Sequence, residues 1–319
     1  MQSGSQIAAQ PIGVSSIASA GVIVPTLNAA RDWPQFEPML RAQGIAPSQV
    51  LIVDSSSNDS TVELARASGF RVETIARRDF NHGGTRQWAT QFFPGTEILV
   101  YLTQDAVLAS DDAVRSLLMA FEDPLVGAAY GRQLPRPGAR PVEAHGRLFN
   151  YPDVSQLRTL NDRQRFGFKT IFISNSFAAY RKQALEDAGG FPTDTIFGED
   201  TITVAHMLLR GWKVAYRADA CVYHSHDYTA VQEFKRYFDI GVLHSREAWL
   251  KKEFGEAGGE GKKFVLSEMK YLLRHNPLLL PSAVLRTAAK LGGYRLGTKE
   301  AALKLGLKKK LSMHHGFWK

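Results

Sequence analysis

The sequence predicts an α/β protein built on a mostly parallel, doubly wound sheet, with a helical extension at its C-terminal end. Three observations predict it. Short apolar runs (Val22-Ile23-Val24, Val50-Leu51-Ile52-Val53, Ile98-Leu99-Val100-Tyr101-Leu102) alternate with stretches of helical periodicity, the pattern of βαβ units. Each run ends in polar residues, namely Pro25-Thr26, Asp54-Ser55-Ser56 and Thr103-Gln104-Asp105, where open α/β sheets gather their ligand-binding groups. Beyond Thr229 the remainder reads as helix, broken between Gly255 and Gly261 and at Asn276-Pro277.

Met1 to Ala20 is rich in Ser, Ala and Gln and carries no charged side chain. It lacks the basic start and long apolar core of a signal peptide, so residues 1–20 are expected to form a flexible leader. Ala20 to Thr26 is then a buried strand, and Trp33 to Gln43 a helix with Phe36, Met39 and Leu40 at helical spacing. Gln49 to Val53 is the second strand. Asp59 or Ser60 caps a helix over Thr61 to Ala67, which Gly69 stops. Strands over Phe70–Ile75 and Ile98–Leu102 flank a helix that follows Arg86 and runs through Phe93. Asp112 to Phe121 is a helix and Val126 to Tyr130 a strand. From Gly131 to Lys169 the pattern dissolves into Pro, Arg and polar residues, and a long irregular stretch in a compact domain is usually functional or mobile. Order returns over Ile171–Tyr180, followed by helices at Arg181–Ala188 and after Asp200, and short strands at Lys213–Tyr216 and Ala220–Tyr223. The α/β domain is expected to span residues 21–230 and the helical region residues 231–319.

Composition is ordinary for a globular chain, 44% hydrophobic and 22% charged, and the single cysteine, Cys221, excludes an intramolecular disulfide and a Cys-rich zinc site. It reads as a buried strand residue. No run approaches the roughly 18 apolar residues of a membrane span, so a cytoplasmic protein is expected. The formal charge of +8 is concentrated: Lys262 to Lys319 holds 13 Lys/Arg against Glu268 and Glu300. There, segments such as Leu285–Leu291 and Ala301–Lys310 mix leucines with lysines, as basic helices on anionic membranes do. Phe317 and Trp318 are candidate interfacial anchors. A solvated helical face would give the same composition. No nucleic-acid-binding motif accompanies the charge.

Chemistry concentrates around Phe197-Gly198-Glu199-Asp200-Thr201. Carboxylates in the first turn of a helix are electrostatically favoured, so a helix cap is the plain reading; the strand-end clusters favour Asp200 as a general base beside a bound sugar nucleotide. Asp54 is placed to accept from a base or ribose, although an Asx-turn would also use it. Asp105 beside a nucleoside diphosphate would bring in a divalent cation. His224 and His226 alternate along one extended segment, so only one is expected to share that cation, His224 first and His226 second. Asn81-His82-Gly83-Gly84-Thr85-Arg86 offers glycines before a helix, an anion-binding arrangement, with Arg86 as a cation for a diphosphate or a contact to a sugar.

The ordered set Val24-Pro25-Thr26-Leu27-Asn28, Val53–Asp59, Thr103-Gln104-Asp105-Ala106, Asn175–Arg181, Gly189-Gly190-Phe191 and Gly198-Glu199-Asp200 resembles inverting glycosyltransferases of family 2 with the GT-A fold. That fold is a Rossmann-like, mostly parallel sheet flanked by helices. Phe80–Arg86, Tyr130-Gly131-Arg132-Gln133 and Tyr223-His224-Ser225-His226 resemble the rhamnosyltransferase branch, which uses dTDP-L-rhamnose. The likeness covers roughly Gly21 to Thr229. It implies donor binding by Pro25, Thr26, Asn28, Asp54, Asn81, Gly83, Arg86, Gln104 and Asp105. It also implies Mg2+ or Mn2+ on Asp105 and His224, an acceptor side formed by Asn175, Ser176 and Glu199, and Asp200 as base. The implied acceptor is a lipid-linked glycan of bacterial cell-surface polysaccharide such as O-antigen, met at the inner face of the cell membrane. One departure stands out: the family's usual Asp-x-Asp is Thr103-Gln104-Asp105 here.

Three other readings compete. A UDP-hexose donor would keep fold and mechanism. A membrane-binding protein without turnover would not need Asp105, His224, Glu199 and Asp200 together. A nucleotidyltransferase would need a glycine-rich triphosphate loop with a lysine near the first strand, and none is present.

Overall fold

Nine strands of one mixed sheet organise the chain in a computed structural model that describes residues 20–255 and 259–319. The expected leader, apart from Ala20, lies outside the described residues. The strands are β1 (Ala20–Thr26), β2 (Val50–Asp54), β3 (Arg71–Thr74), β4 (Ile98–Leu102), β5 (Val107–Leu108), β6 (Val126–Leu134), β7 (Gln156–Arg158), β8 (Phe177–Arg181) and β9 (Lys213–Tyr223), in the spatial order β3-β2-β1-β4-β8-β6-β9-β5, with β7 beside β9. The first four pair in parallel; β8 runs antiparallel between β4 and β6, and β6 and β9 are again parallel.

Helices cover both faces: α1 (Trp33–Arg41), α2 (Thr61–Ala67), α3 (His82–Ala89), α4 (Ala113–Leu118), α5 (Pro141–Asn150), α6 (Arg163–Phe166), α7 (Lys182–Asp187) and α8 (Glu199–Leu209). The C-terminal part adds α9 (Ala230–Arg246), α10 (Ala248–Phe254), α11 (Glu260–His275), α12 (Leu280–Gly297) and α13 (Leu305–Leu311). Burial on both faces explains why β1, β2 and β4 are continuous apolar runs. Val22 and Val24 pack with Trp33, Phe36 and Leu40 on one side, while Ile23 and Tyr101 pack with Phe191 and Leu208 on the other.

Two expectations about local structure change. Residues 131–169 are not an irregular loop: β6 continues to Leu134, α5 and β7 follow, and α6 closes the stretch. Its prolines misled, because Pro141 stands in the first turn of α5, where its missing N–H costs nothing. The two short strands at 213–223 are one strand. β6 residues Gly131 and Arg132 pair with Arg217 and Cys221, and this irregularity absorbs the polar Arg217-Ala218-Asp219 interruption. Cys221 is half-buried there rather than buried.

The C-terminal helices are built into the body. Helices α9 and α12 touch backbone to backbone: a methyl group at Gly293 would stand 2.2 Å from the Phe234 carbonyl oxygen, and one at Gly297 would stand 2.0 Å from that of Phe238. Trp318 is 5% exposed and packs on Phe238 under the Arg246 guanidinium. Phe317 also packs under Arg246. The expected role of Phe317 and Trp318 as interfacial anchors is therefore corrected: the core holds Trp318 and the Arg246 stack engages Phe317. Among the described residues, no helix is long and apolar enough to cross a membrane.

Candidate active site

Parallel pairing of β1 with β2 puts Thr26 opposite Asp54, and the loops that follow are stitched together there. Asp54 Oδ1 accepts from Thr26 Oγ1 (3.2 Å) and Ser57 Oγ (2.5 Å), and Oδ2 accepts from the Ser57 amide (2.8 Å). Asn28, in a left-handed conformation (φ 53°), takes the Asn58 amide on its side chain and donates its own amide to Ser57. Gln104 holds both backbone groups of Leu27. Pro25, Thr26, Asn28, Asp54 and Gln104 thus form one rim at the carboxyl ends of β1, β2 and β4. Asp54 is buried, with both oxygens occupied, and acts as the Asx-turn anchor of this rim.

Beside the rim lies a cleft of about 480 Å³ whose walls include Asp105, Asn175, Ser176, Asp200, His224 and His226. Gly198 precedes α8 in a left-handed conformation (φ 76°), and the step of about 100° between successive helical residues turns the two carboxylates in different directions. Glu199 goes inward, where its Oε1 accepts from Arg86 (2.8 Å) and from the Asn175 amide group (3.0 Å). Burial opposes its charge, but Arg86, His82 and Asn175 more than offset that and hold its pKa below the usual carboxylate range. Asp200 faces the cleft and accepts from the amides of Asn175 (3.1 Å) and Thr201 (2.7 Å). Burial, reinforced by the negative charge of Glu199, pushes its pKa up to about 7. A carboxylate poised there takes up a proton readily at neutral pH.

At the other end of the cleft, Asp105 Oδ2 stands 3.3 Å from His224 Nε2 and 3.4 Å from His226 Nε2, and the two Nε2 atoms are 3.0 Å apart. The expectation that only one histidine could reach Asp105 is corrected. Strand β9 ends at Tyr223, so residues 224–226 escape the alternation of a pleat, and both rings converge. His224 Nδ1 lies 2.9 Å from Gln133 Oε1, an acceptor that also takes Arg147 (2.7 Å). That partner keeps the proton on Nδ1 and leaves a lone pair on Nε2. Burial, against the pull of Asp105, lowers the His224 pKa; burial and His224 lower that of His226 to about 4. Asp105, for its part, is held ionised by its imidazole and Thr103 neighbours despite burial. Two neutral imidazoles and one ionised carboxylate converging within 4.8 Å are a donor set fit for a divalent cation.

The residues of the expected anion site at α3 are engaged within the protein. Asn81 caps the helix by accepting from the Gly84 amide (2.8 Å), a methyl group on Gly83 would meet the Pro192 carbonyl oxygen at 1.8 Å, and Arg86 is buried against Glu199. Asn81 and Gly83 make these contacts within the protein, and Arg86 both pairs with Glu199 and lines the cleft. Glu199, expected on the acceptor side, is likewise the buried partner of that pair.

The family model for glycosyl transferase family 2 matches residues 21–189. The chain belongs to that family. Over 298 residues the transferase is 44% identical to the O-antigen chain rhamnosyltransferase RfbN of Salmonella typhimurium, a match covering 93% of this chain and 95% of that one. It is 43% identical, over the same extents, to the O-antigen chain rhamnosyltransferase WbaN of Salmonella anatum. Among solved structures, it superposes with a TM-score of 0.55 and 20% identity on the mannosyltransferase PcManGT of Pyrobaculum calidifontis in complex with GDP-Man and Mn2+, covering 95% of this chain and 87% of that one. TarS of S. aureus gives a TM-score of 0.53 at 14% identity, covering 89% of this chain and 91% of that one. Both likenesses establish the GT-A fold of the transferase.

Sequence reasoning missed several residues of the cleft, among them Arg147, Arg236, Leu243 and His314. His314, from the C-terminal segment, lines the wall beside Asp200, stacks on Phe197 and meets His82 edge-on. Burial first, then the charges of neighbouring His82 and Arg236, lower its pKa to about 3, so it is a neutral wall. No motif surrounds it. Only the fold brings it there.

Proposed function

We propose that the transferase moves L-rhamnose from dTDP-L-rhamnose to a lipid-linked glycan in O-antigen or related cell-surface polysaccharide synthesis, with inversion at the sugar. The observation that carries the mechanism is the pairing, across one cleft, of a carboxylate with raised pKa and a carboxylate–imidazole cluster. The relatives named O-antigen chain rhamnosyltransferases support the sugar and the pathway. Asp200 accepts the proton of the acceptor hydroxyl while that oxygen forms the new bond to the anomeric carbon. The bond from that carbon to the donor phosphate breaks, and its electrons leave with the nucleoside diphosphate. The Thr26–Asp54–Ser57 rim positions the nucleotide, and Asn175 and Ser176 flank the acceptor. Asp105, His224 and His226 would hold Mg2+ or Mn2+, with His226 compensating for the missing first carboxylate of Asp-x-Asp. A bound cation neutralises charge on the departing diphosphate.

A thermal-shift panel of dTDP, UDP, GDP and CDP with and without Mn2+ tests the donor, since a ligand of the native state stabilises it by mass action. The expected result is the largest, metal-dependent shift with dTDP, and a Mn2+ affinity at least about tenfold weaker in His226→Ala. Preference for UDP would replace the donor with a UDP-hexose. The absence of any nucleotide shift would sink the transfer reading in favour of a membrane-binding protein without turnover.

The same reading puts the enzyme on the anionic inner face of the cell membrane. The corner between α11 and α12 supports this: Leu273, Leu278, Val284 and Leu285 are 60%, 87%, 60% and 62% exposed, and Lys270 and Arg274 are exposed nearby in sequence. Isolated apolar residues are ordinary on a surface, but a group of them beside cations suits a headgroup layer. Vesicles containing phosphatidylglycerol should sediment the wild type and release Leu278→Asp/Leu285→Asp. Equal sedimentation of the two would overturn the assignment.

A further inference from the structure

A second cavity, of about 650 Å³, opens next to the cleft and shares Asn150 and Phe172 with its wall. Its lining is strongly cationic: among the described residues, Arg158, Arg163, Arg165, Lys169 and Lys263 face it against one carboxylate, Glu260. These cations are not equivalent. Arg158 is turned inward onto the Tyr130 hydroxyl and the carbonyls of Lys169 (2.6 Å) and Phe172 (3.2 Å), so it builds the wall. Lys169 and Lys263 share the single carboxylate Glu260. Arg163 lies 3.7 Å from the Glu253 carboxylate, a loose contact. Arg165 is exposed and rests on the Phe166 ring, 4.8 Å from its centroid, without a carboxylate partner among the described residues.

Uncompensated charge in a concave, low-dielectric surface attracts an anion, and guanidinium forks match phosphate oxygens. The cavity lies in the volume range of ligand sites. It is separate from the Asp105 cluster, where the donor diphosphate belongs. Two diphosphates in one reaction repel each other, so an acceptor that carries its own is best held with that group apart from the donor and only its sugar near Asp200. The shared wall at Asn150 and Phe172 meets this requirement. Lys263 also lies on the same helix as Leu273, about 15 Å along α11, so a chain leaving the cavity has a route toward the exposed corner.

We propose that this cavity binds the diphosphate of an isoprenoid-diphosphate glycan, the anionic end of the acceptor. The assignment rests on the glycan-acceptor reading of the enzyme and adds the place where the acceptor is anchored. Calorimetric titration of the full chain in EDTA, with inorganic pyrophosphate and with farnesyl diphosphate, tests it. Both probes should bind the wild type and lose at least about tenfold in affinity in Arg163→Ala/Arg165→Ala/Lys263→Ala, three exposed positions. Equal affinity in wild type and variant, or no saturable binding, would overturn it. Binding of pyrophosphate without farnesyl diphosphate would reduce the cavity to a free-anion site and overturn it as well. The variant's thermal shift with dTDP and Mn2+ reports the donor side separately. A normal shift beside unchanged pyrophosphate affinity would reject the cavity while leaving the transferase reading intact.

Discussion

Asp200→Asn is expected to lower the transfer rate by about a thousandfold or more, the range for loss of a general base, while dTDP and Mn2+ bind as in the wild type. The side chain faces the cleft, and its two backbone hydrogen bonds fix it in place. With its pKa near about 7, wild-type turnover should rise with pH through neutrality and level off above it, because only the ionised form accepts the acceptor's proton. Near-normal transfer by the folded variant, or a rate flat from pH 5 to 9, would remove Asp200 as the base. The sign for stability is the opposite. An aspartate whose folded-state pKa is raised binds more protons folded than unfolded between roughly pH 4 and 7. Its contribution is fully present below the unfolded pKa and is lost as pH rises through the folded one. The variant should therefore melt above the wild type at pH 8, and the gap should shrink toward pH 4.

Removing Ser312 to Lys319 should cost far more than its length suggests. Trp318 is buried on Phe238, Ser312 is fully buried, and the Met313 amide donates to Asp239 Oδ2 (2.9 Å). Burial already pushes Asp239 up to about 6 against those donors; without them a buried carboxylate loses its partners. Loss of the tryptophan alone is worth about 3–5 kcal/mol. The truncated chain should show a depressed Tm and no transfer. A companion variant, His314→Ala, should keep its Tm within a few degrees and lose activity, since it alters only the wall beside Asp200. A truncated protein that melts like the wild type would refute the packing role, and full activity in His314→Ala would refute the wall.

The strand ends were legible because buried parallel strands leave an unambiguous trace: apolar runs that stop abruptly in polar residues. Thr26, Asp54 and Asp105 all stood at such stops, and Asp200 at the start of an apolar helix. What failed was anything set by distant packing. Arg86 read as a free cation because nothing in its neighbourhood announces Glu199, more than a hundred residues away. His224 and His226 read as opposed because the end of β9 is fixed by pairing with β6, which periodicity does not report. Residues 131–169 read as loop because α5 and β7 are short and half-exposed. His314 had no local signal, since its position follows from the packing of the C-terminal segment on α9, against which α12 is also packed.

That packing has a consequence for motion. Where Gly293 and Gly297 meet the backbone of α9, no side chain intervenes that could change rotamer or slide, so the two helices move as one stiff body. Arg236 and Leu243 face the cleft from α9, and this wall keeps its shape whether or not a substrate is bound.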